Sequence, residues 1–581
     1  MVLVRYVILS KIAGGYALRG ILAAVAVLVL LTTTLHAQAP AQNPAVDKAK
    51  DDLCRVSGLV TKLADGAPLK GVTIRLENGE DREHTIAVKT GPDGRFALQN
   101  VPAGRYKLLV SRNGYVTLEY GQRKLGEPGA LFSLLSGQNR SDLIFRMVPH
   151  AVITGKVFDE DGEPLQSAFV IALKQVYKDG KHVLEAQATA QTDDLGQYRL
   201  FGLAPGKYFV SAVGSKWNEI YGDREFSSKK ESVAERGYAK TYFPGTTDLG
   251  RASVLSLKAG EEVPSTDISL KQISVYRIRG RVFNQITHRP ATEVNIELLP
   301  KSKNFFLDSV NSLMVQKADG SFEFHEIAPG SYVLTTFWFD QNKPYAARQD
   351  IEVNNADVEG VLLTIGPGSS VPGRLVWEGK PSLERQEITI GAESADAGYF
   401  FGASARVEEN GQFTLKDMPE GVFRAAVTGI SKDCYVKEMQ FAGKEVPDDL
   451  LPVAKEGGGQ LEITISSRGA RIQGDVTDAD GLPAAGVWVV AVPEAARRSS
   501  RRWYKSQTTD QYGHFDLHGL GPGAYELYSW IDVETNSWED SEFLKPFEAK
   551  RVGTAITVKD DDAQSVKLQV IAAKAGDASQ E

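Results

Sequence analysis

The stretch "TDDLGQYRLFGLAPGKYFVSA", residues 192–212, sets two glycines, two aromatics and a Pro-Gly at fixed distances. Such a stretch reads either as a phosphate-cradling loop or as punctuation between strands. A phosphate loop opens a helix, but here Tyr208, Val210 and Ala212 alternate with Phe209 and Ser211, the period of a β-strand. Repetition decides between the two. The pattern returns as "TGPDGRFALQNVPAGRYKLLV" (90–110), "KADGSFEFHEIAPGSYVLTT" (317–336), "EENGQFTLKDMPEGVFRAAV" (408–427) and "TDQYGHFDLHGLGPGAYELYS" (509–529).

In every copy a glycine stands two residues before an aromatic, and a second such pair follows ten residues later. The first glycines are Gly94, Gly196, Gly320, Gly411 and Gly513, ahead of Phe96, Tyr198, Phe322, Phe413 and Phe515. The second are Gly104, Gly206, Gly330, Gly421 and Gly523, ahead of Tyr106, Tyr208, Tyr332, Phe423 and Tyr525. All ten read as turn residues. Upstream of each copy, a glycine in a short β-type run (Gly58, Gly155, Gly280, Gly373, Gly474) marks the unit's first strand. These markers lie 97, 125, 93 and 101 residues apart, the size of a small β-sandwich.

The sequence therefore predicts an all-β chain of five tandem antiparallel Greek-key sandwiches, at 54–148, 149–272, 273–367, 368–467 and 468–572. The long second unit carries an insertion at about 214–243. A linker at 38–53 precedes the array and a polar tail at 573–581 follows it. Connections such as "LLTIGPGSSVPG" are short, and they predict a stiff, monomeric rod.

Arg5, Lys11 and Arg19, the apolar run Ile21–Leu31 and the small residues around Ala37 form the three regions of a secretory signal, expected to be cleaved after residue 37. Its loss removes three positive charges and takes the net charge from −8 to −11. An acidic mature chain argues against nucleic acid as a partner. The expected location is periplasmic, outer-membrane-associated or extracellular, with no transmembrane span in the mature chain. Cys54 and Cys434 fall in different units, so two isolated thiols are expected rather than a disulfide framework.

The G-x-V strand, the D-x-D-G turn and T-D-x-x-G-x-[FY]…P-G-x-Y resemble the carboxypeptidase regulatory-like domain, a transthyretin-like sandwich within the carbohydrate-binding-like group. The resemblance covers nearly all of residues 54–572 and implies the same architecture. Copies one and four depart from it with Pro-x-Gly in "VPAGRY" and "MPEGVF".

Catalytic motifs are sparse. His182 and Glu185 match an H-x-x-E metal tetrad, but on a strand they face opposite ways and no third ligand accompanies them. No metal, cofactor or catalytic residue is expected. His514, Asp516 and His518 share one face of a strand, expected to be solvated, and "RRSSRRWYK" (497–505) reads as a solvated basic loop. Asp159, Asp161, Asp478 and Asp480 belong to hairpin turns rather than calcium loops, because the bidentate carboxylate is missing. The candidate ligand residues are Tyr242, Phe243, Trp530, Trp538 and Asp532, since aromatic rings stack on sugars while a carboxylate accepts their hydroxyls. The expectation is a non-enzymatic, exported binding or spacer protein with glycans or envelope proteins as partners. A protein scaffold, an accessory of an outer-membrane system and a hydrolase with an interdomain site are the alternatives.

Overall fold

The computed structural model describes residues 53–78, 85–178, 180–214, 235–301, 311–340, 343–379, 387–395, 402–454 and 458–572. The expected signal, most of the linker, most of the insertion and the tail lie outside them. The described chain is nearly all β, with one α-helix, Ser541–Ala549.

Each sandwich repeats one plan. In the first, Cys54–Lys62 lies between Arg95–Val101 and Asn139–Met147, forming a three-stranded sheet. Facing it, Thr73–Asn78 and Gly104–Ser111 form the centre of a sheet edged by Thr85–Lys89, Leu118–Glu119 and Phe132–Leu134. The strands that correspond to Cys54–Lys62 in the other sandwiches are Ala151–Phe158, Lys271–Asn284, Ser369–Glu378 and Ala470–Thr477. All five pair antiparallel with the strand of the first aromatic. All five also pair in parallel with a strand near the C-terminal end of their own sandwich, a contact that alternation alone does not reveal.

The marker glycines follow from this pairing. Gly58, Gly155, Gly280, Gly373 and Gly474 stand opposite Phe96, Tyr198, Phe322, Phe413 and Phe515. A Cβ at Gly373 would fall inside the Phe413 ring, and one at Gly474 would fall on the Val566 carbonyl. The first turn glycines serve differently: Gly94, Gly196, Gly320, Gly411 and Gly513 have φ of 72°, 68°, 70°, 81° and 79°, the left-handed region open to glycine. Ahead of three of these turns stands a buried threonine. Thr90 Oγ1 donates to Leu69 O, Thr192 Oγ1 to Leu165 O and Thr509 Oγ1 to Ala484 O, each at 2.6 Å.

One apolar core fills each sandwich. Tyr208, Val210 and Ala212 point into the second core as the alternation requires. The opposite face is covered as well: Ser211 pairs with Tyr242, and Ile171, Leu173, Leu184 and Tyr242 form a second apolar layer. Cys54 and Cys434 are buried free thiols.

The sandwiches do not run out as the expected rod. The first packs on the fifth, where Ser133 Oγ donates to Asp510 Oδ2 at 2.9 Å and Thr508 Oγ1 to Gly129 O at 2.8 Å. The fifth also meets the second, with the Tyr177 and Phe543 ring centroids 6.4 Å apart, and the fourth, where Arg502 pairs with Asp449 at 2.6 Å. Short connections restrict rotation without fixing a straight course, and polar surfaces between units bend the array back on itself.

Candidate functional site

The tryptophans expected to bind sugar are core residues. Trp530 and Trp538 are 0% and 2% exposed. Trp530 stacks on Tyr528 with centroids 4.5 Å apart and planes 4° apart, and Phe543 and Phe547 of the helix Ser541–Ala549 meet its edge. Neither indole offers a face to a ligand, so of the two readings of these rings, ligand platform and core packing, their burial favours the core. The helix was invisible to strand periodicity, and it buries these rings. Asp532 stays exposed in a left-handed turn, φ 61°. Tyr242 is buried with Lys240 Nζ 5.4 Å from its ring centre, and Phe243 packs on the second core. The structure does not bring these five residues together.

Other sequence expectations resolve into structure. His182 packs on Tyr177, ring centroids 4.0 Å apart, while Glu185 lies opposite Lys174. The "RRSSRRWYK" loop is an interdomain wedge, not a solvated loop: Arg502 and Ser500 bond Asp449, and Trp503 packs on Tyr435 of the fourth sandwich. Asp516 is buried rather than solvated. Arg471 donates to it twice, at 2.6 and 2.9 Å, and His518 Nε2 lies 2.9 Å away. Asp159 and Asp478 spend their Oδ1 atoms on backbone N–H groups of their own turns.

A cleft of about 850 Å³ lies between the second and third sandwiches, within the range of small-ligand sites. Arg236, Tyr238 and Lys240, at the end of the insertion, line one wall. The strand Glu235–Ala239, which carries Arg236 and Tyr238, pairs with Lys271–Asn284, the first strand of the third sandwich, and so joins the two units. Tyr238 donates to Glu160 at 2.7 Å, Gln272 also bonds Glu160, and Arg236 donates to Gln272 at 3.3 Å. Burial, then the Glu160 carboxylate, push the Tyr238 phenol up to about 12, which keeps it a donor.

Other lining residues come from the repeat itself. His325, Glu326 and Pro329–Tyr332 lie on the third copy's signature, with Lys301 and Glu352 beside them. Ser331 Oγ donates to Glu352 at 2.6 Å, Lys301 Nζ donates to Asp350 at 2.8 Å, and Tyr332 donates to Ala328 O at 2.8 Å. These walls offer carboxylate acceptors, cationic donors and an aromatic ring within one cleft, the groups a polyhydroxylated ligand uses. Sequence reasoning missed the cleft because its residues are remote in the chain. The one available signal was the 125-residue spacing that marks the insertion.

A family model described as the carboxypeptidase regulatory-like domain matches residues 55–131. No curated protein matches the sequence. Among solved structures, the minor pilin GBS52 of Streptococcus agalactiae is 14% identical, with 38% of this chain and 96% of that chain covered, at a TM-score of 0.22. The major pilin subunit BcpA of Bacillus cereus is 10% identical, with 54% and 99% covered, at 0.13. Two B repeat units of the collagen binding protein of Staphylococcus aureus are 13% identical, with 71% and 99% covered, at 0.11. At such TM-scores these structures add nothing to the assignment, which rests on the family match and the strand pairing. Residues 55–131, within the first sandwich, thus match the carboxypeptidase regulatory-like domain, and the marker residues and strand pairing of that sandwich recur in four more.

Proposed function

We propose that this is a non-enzymatic, exported binding protein of the cell envelope, and that it holds a saccharide in the cleft between its second and third sandwiches. The observation that carries the reading is the cleft's composition. Arg236, Tyr238 and Lys240 line a space of ligand size together with Glu326, Lys301 and Glu352. The non-repeating strand that forms one wall is fixed to both sandwiches, so the site is preorganised. Export rests on the N-terminal sequence alone. The saccharide reading moves from the buried tryptophans to this cleft.

Glycan-array binding by the mature chain tests it. Binding is expected, weakened at least tenfold, about 1.4 kcal/mol, by Tyr238→Ala or Glu352→Ala. Binding that survives both substitutions, or no binding to any glycan, overturns the saccharide reading and leaves a protein-binding scaffold.

A further inference from the structure

The fifth copy of the signature turn differs from the other four in what covers it. At the two positions before the turn glycine, Pro92-Asp93, Asp194-Leu195, Ala318-Asp319 and Glu409-Asn410 are all exposed, whereas Gln511-Tyr512 are both half-buried. The turn aspartate follows the same contrast: Asp193 is exposed and Asp510 is buried.

The cover is the first sandwich. Its edge strand Phe132–Leu134 presents the backbone of Ser133, and the Gln511 carboxamide bonds that residue as a neighbouring strand would. Ser133 N donates to Gln511 Oε1 at 3.0 Å, and Gln511 Nε2 donates to Ser133 O at 2.6 Å. Gln138 donates to the Tyr512 hydroxyl at 3.0 Å, and Leu131 forms a parallel bridge with Asp510. Charges match around the rim: Lys124 meets Glu534 at 3.5 Å and Arg105 meets Asp516 at 3.5 Å.

This contact joins two different surfaces of one chain, and no covalent bond closes it. The hydrogen bonds between the two surfaces join polar groups that water can also satisfy, so each adds only modestly to the closed state. Once open, the Ser133 edge and the Thr508–Tyr512 turn are each left without their partner. Two complementary surfaces of different kind join copies head to tail, the geometry of exchange and open assembly. We propose that this pair of surfaces is an exchangeable interface whose alternative partner is a second copy of this chain. In dilute solution the intramolecular contact has the higher effective concentration and the chain closes on itself. Opening at high protein concentration converts the same contacts into links between copies.

The Lys124–Glu534 pair reports on both states, because its side chains are 44% and 37% exposed and a zero-length carbodiimide reagent can couple them. Equal amounts of ¹⁴N- and ¹⁵N-labelled full chain are cross-linked dilute, and again after mild urea treatment and return to buffer at high concentration. Dilute monomer should give the Lys124–Glu534 product in unmixed isotopes. The concentrated sample should give dimers and larger species with mixed isotopes at that pair. Gln511→Ala combined with Tyr512→Ala should remove both products, whereas Asp194→Ala combined with Leu195→Ala, at the same turn of the second sandwich, should keep them. The proposal is overturned by monomer lacking the product, by a concentrated sample that stays unmixed at that pair, or by a Gln511/Tyr512 variant that behaves like the parent.

Discussion

At the scale of single residues, the second aromatic of each copy does more than fill the core. Tyr106, Tyr208, Tyr332 and Tyr525 each donate a phenolic hydrogen to the carbonyl four residues earlier, at 2.8 to 2.9 Å. The bond ties the strand to the turn that precedes it, as tyrosine corners do in other sandwiches. Position 423 is phenylalanine, fully buried, so the fourth sandwich lacks the bond. Phe423→Tyr should place a hydroxyl toward the Pro419 carbonyl and stabilise that sandwich by about 1 kcal/mol, and Tyr525→Phe should cost about the same in the fifth. Urea denaturation of the two variants checks the pair. A destabilised Phe423→Tyr would mean the fourth turn has closed over the space the hydroxyl needs. The marker spacing made both aromatics legible in the sequence. The threonine clamp was legible only in part, because the equivalents of Thr90, Thr192 and Thr509 in the third and fourth copies are Gln316 and Val407.

At the scale of elements, strands and turns were readable wherever the pattern is local. Alternation and turn glycines are properties of a few adjacent residues, and they placed the central strands of all five sandwiches. What covers a sheet's outer face is not local. Trp530 and Trp538 read as ligand platforms because aromatic rings stack on sugars, with core packing as the other reading, and the packed helix Ser541–Ala549 sets its Phe543 and Phe547 against Trp530 in the core. That helix begins with Asp540, whose carboxylate accepts from Glu542 N at 2.9 Å, and it buries Leu544 and Phe547. It also contains Pro546, so packing rather than intrinsic propensity holds it. Trp530→Ala should therefore destabilise the fifth sandwich by about 4 kcal/mol without a separate ligand-binding defect. Thermal unfolding and glycan binding measured on the same preparation distinguish the two. A variant with the parental melting temperature and lost binding would restore Trp530 as a ligand residue.

At the scale of the whole molecule, the way units meet was the least legible feature, because it depends on pairs hundreds of residues apart. The junction of the first, fourth and fifth sandwiches turns on Asp516. Arg471 and His518 bind this carboxylate within the fifth, Arg105 reaches it from the first, and His518 Nδ1 lies 2.6 Å from Asp433 of the fourth. Burial alone would raise the carboxyl's pKa, but the bonds from Arg471 and His518 outweigh it and hold the group below its ordinary value of 3.8. A carboxyl depressed on folding contributes stability at every pH above its unfolded value, and that contribution fades as pH falls through the folded value. Asp516→Asn leaves Arg471, whose side chain is 46% exposed, facing a neutral amide, and with solvent screening the pair it should cost about 1 kcal/mol at pH 7. Four of the chain's 7 tryptophans, Trp488, Trp503, Trp530 and Trp538, lie in the fifth sandwich, so indole fluorescence reports its unfolding. The stability gap between parent and variant should narrow steadily as pH falls below 3.8. A gap that persists undiminished in acid would show that Asp516 contributes shape rather than charge to the junction.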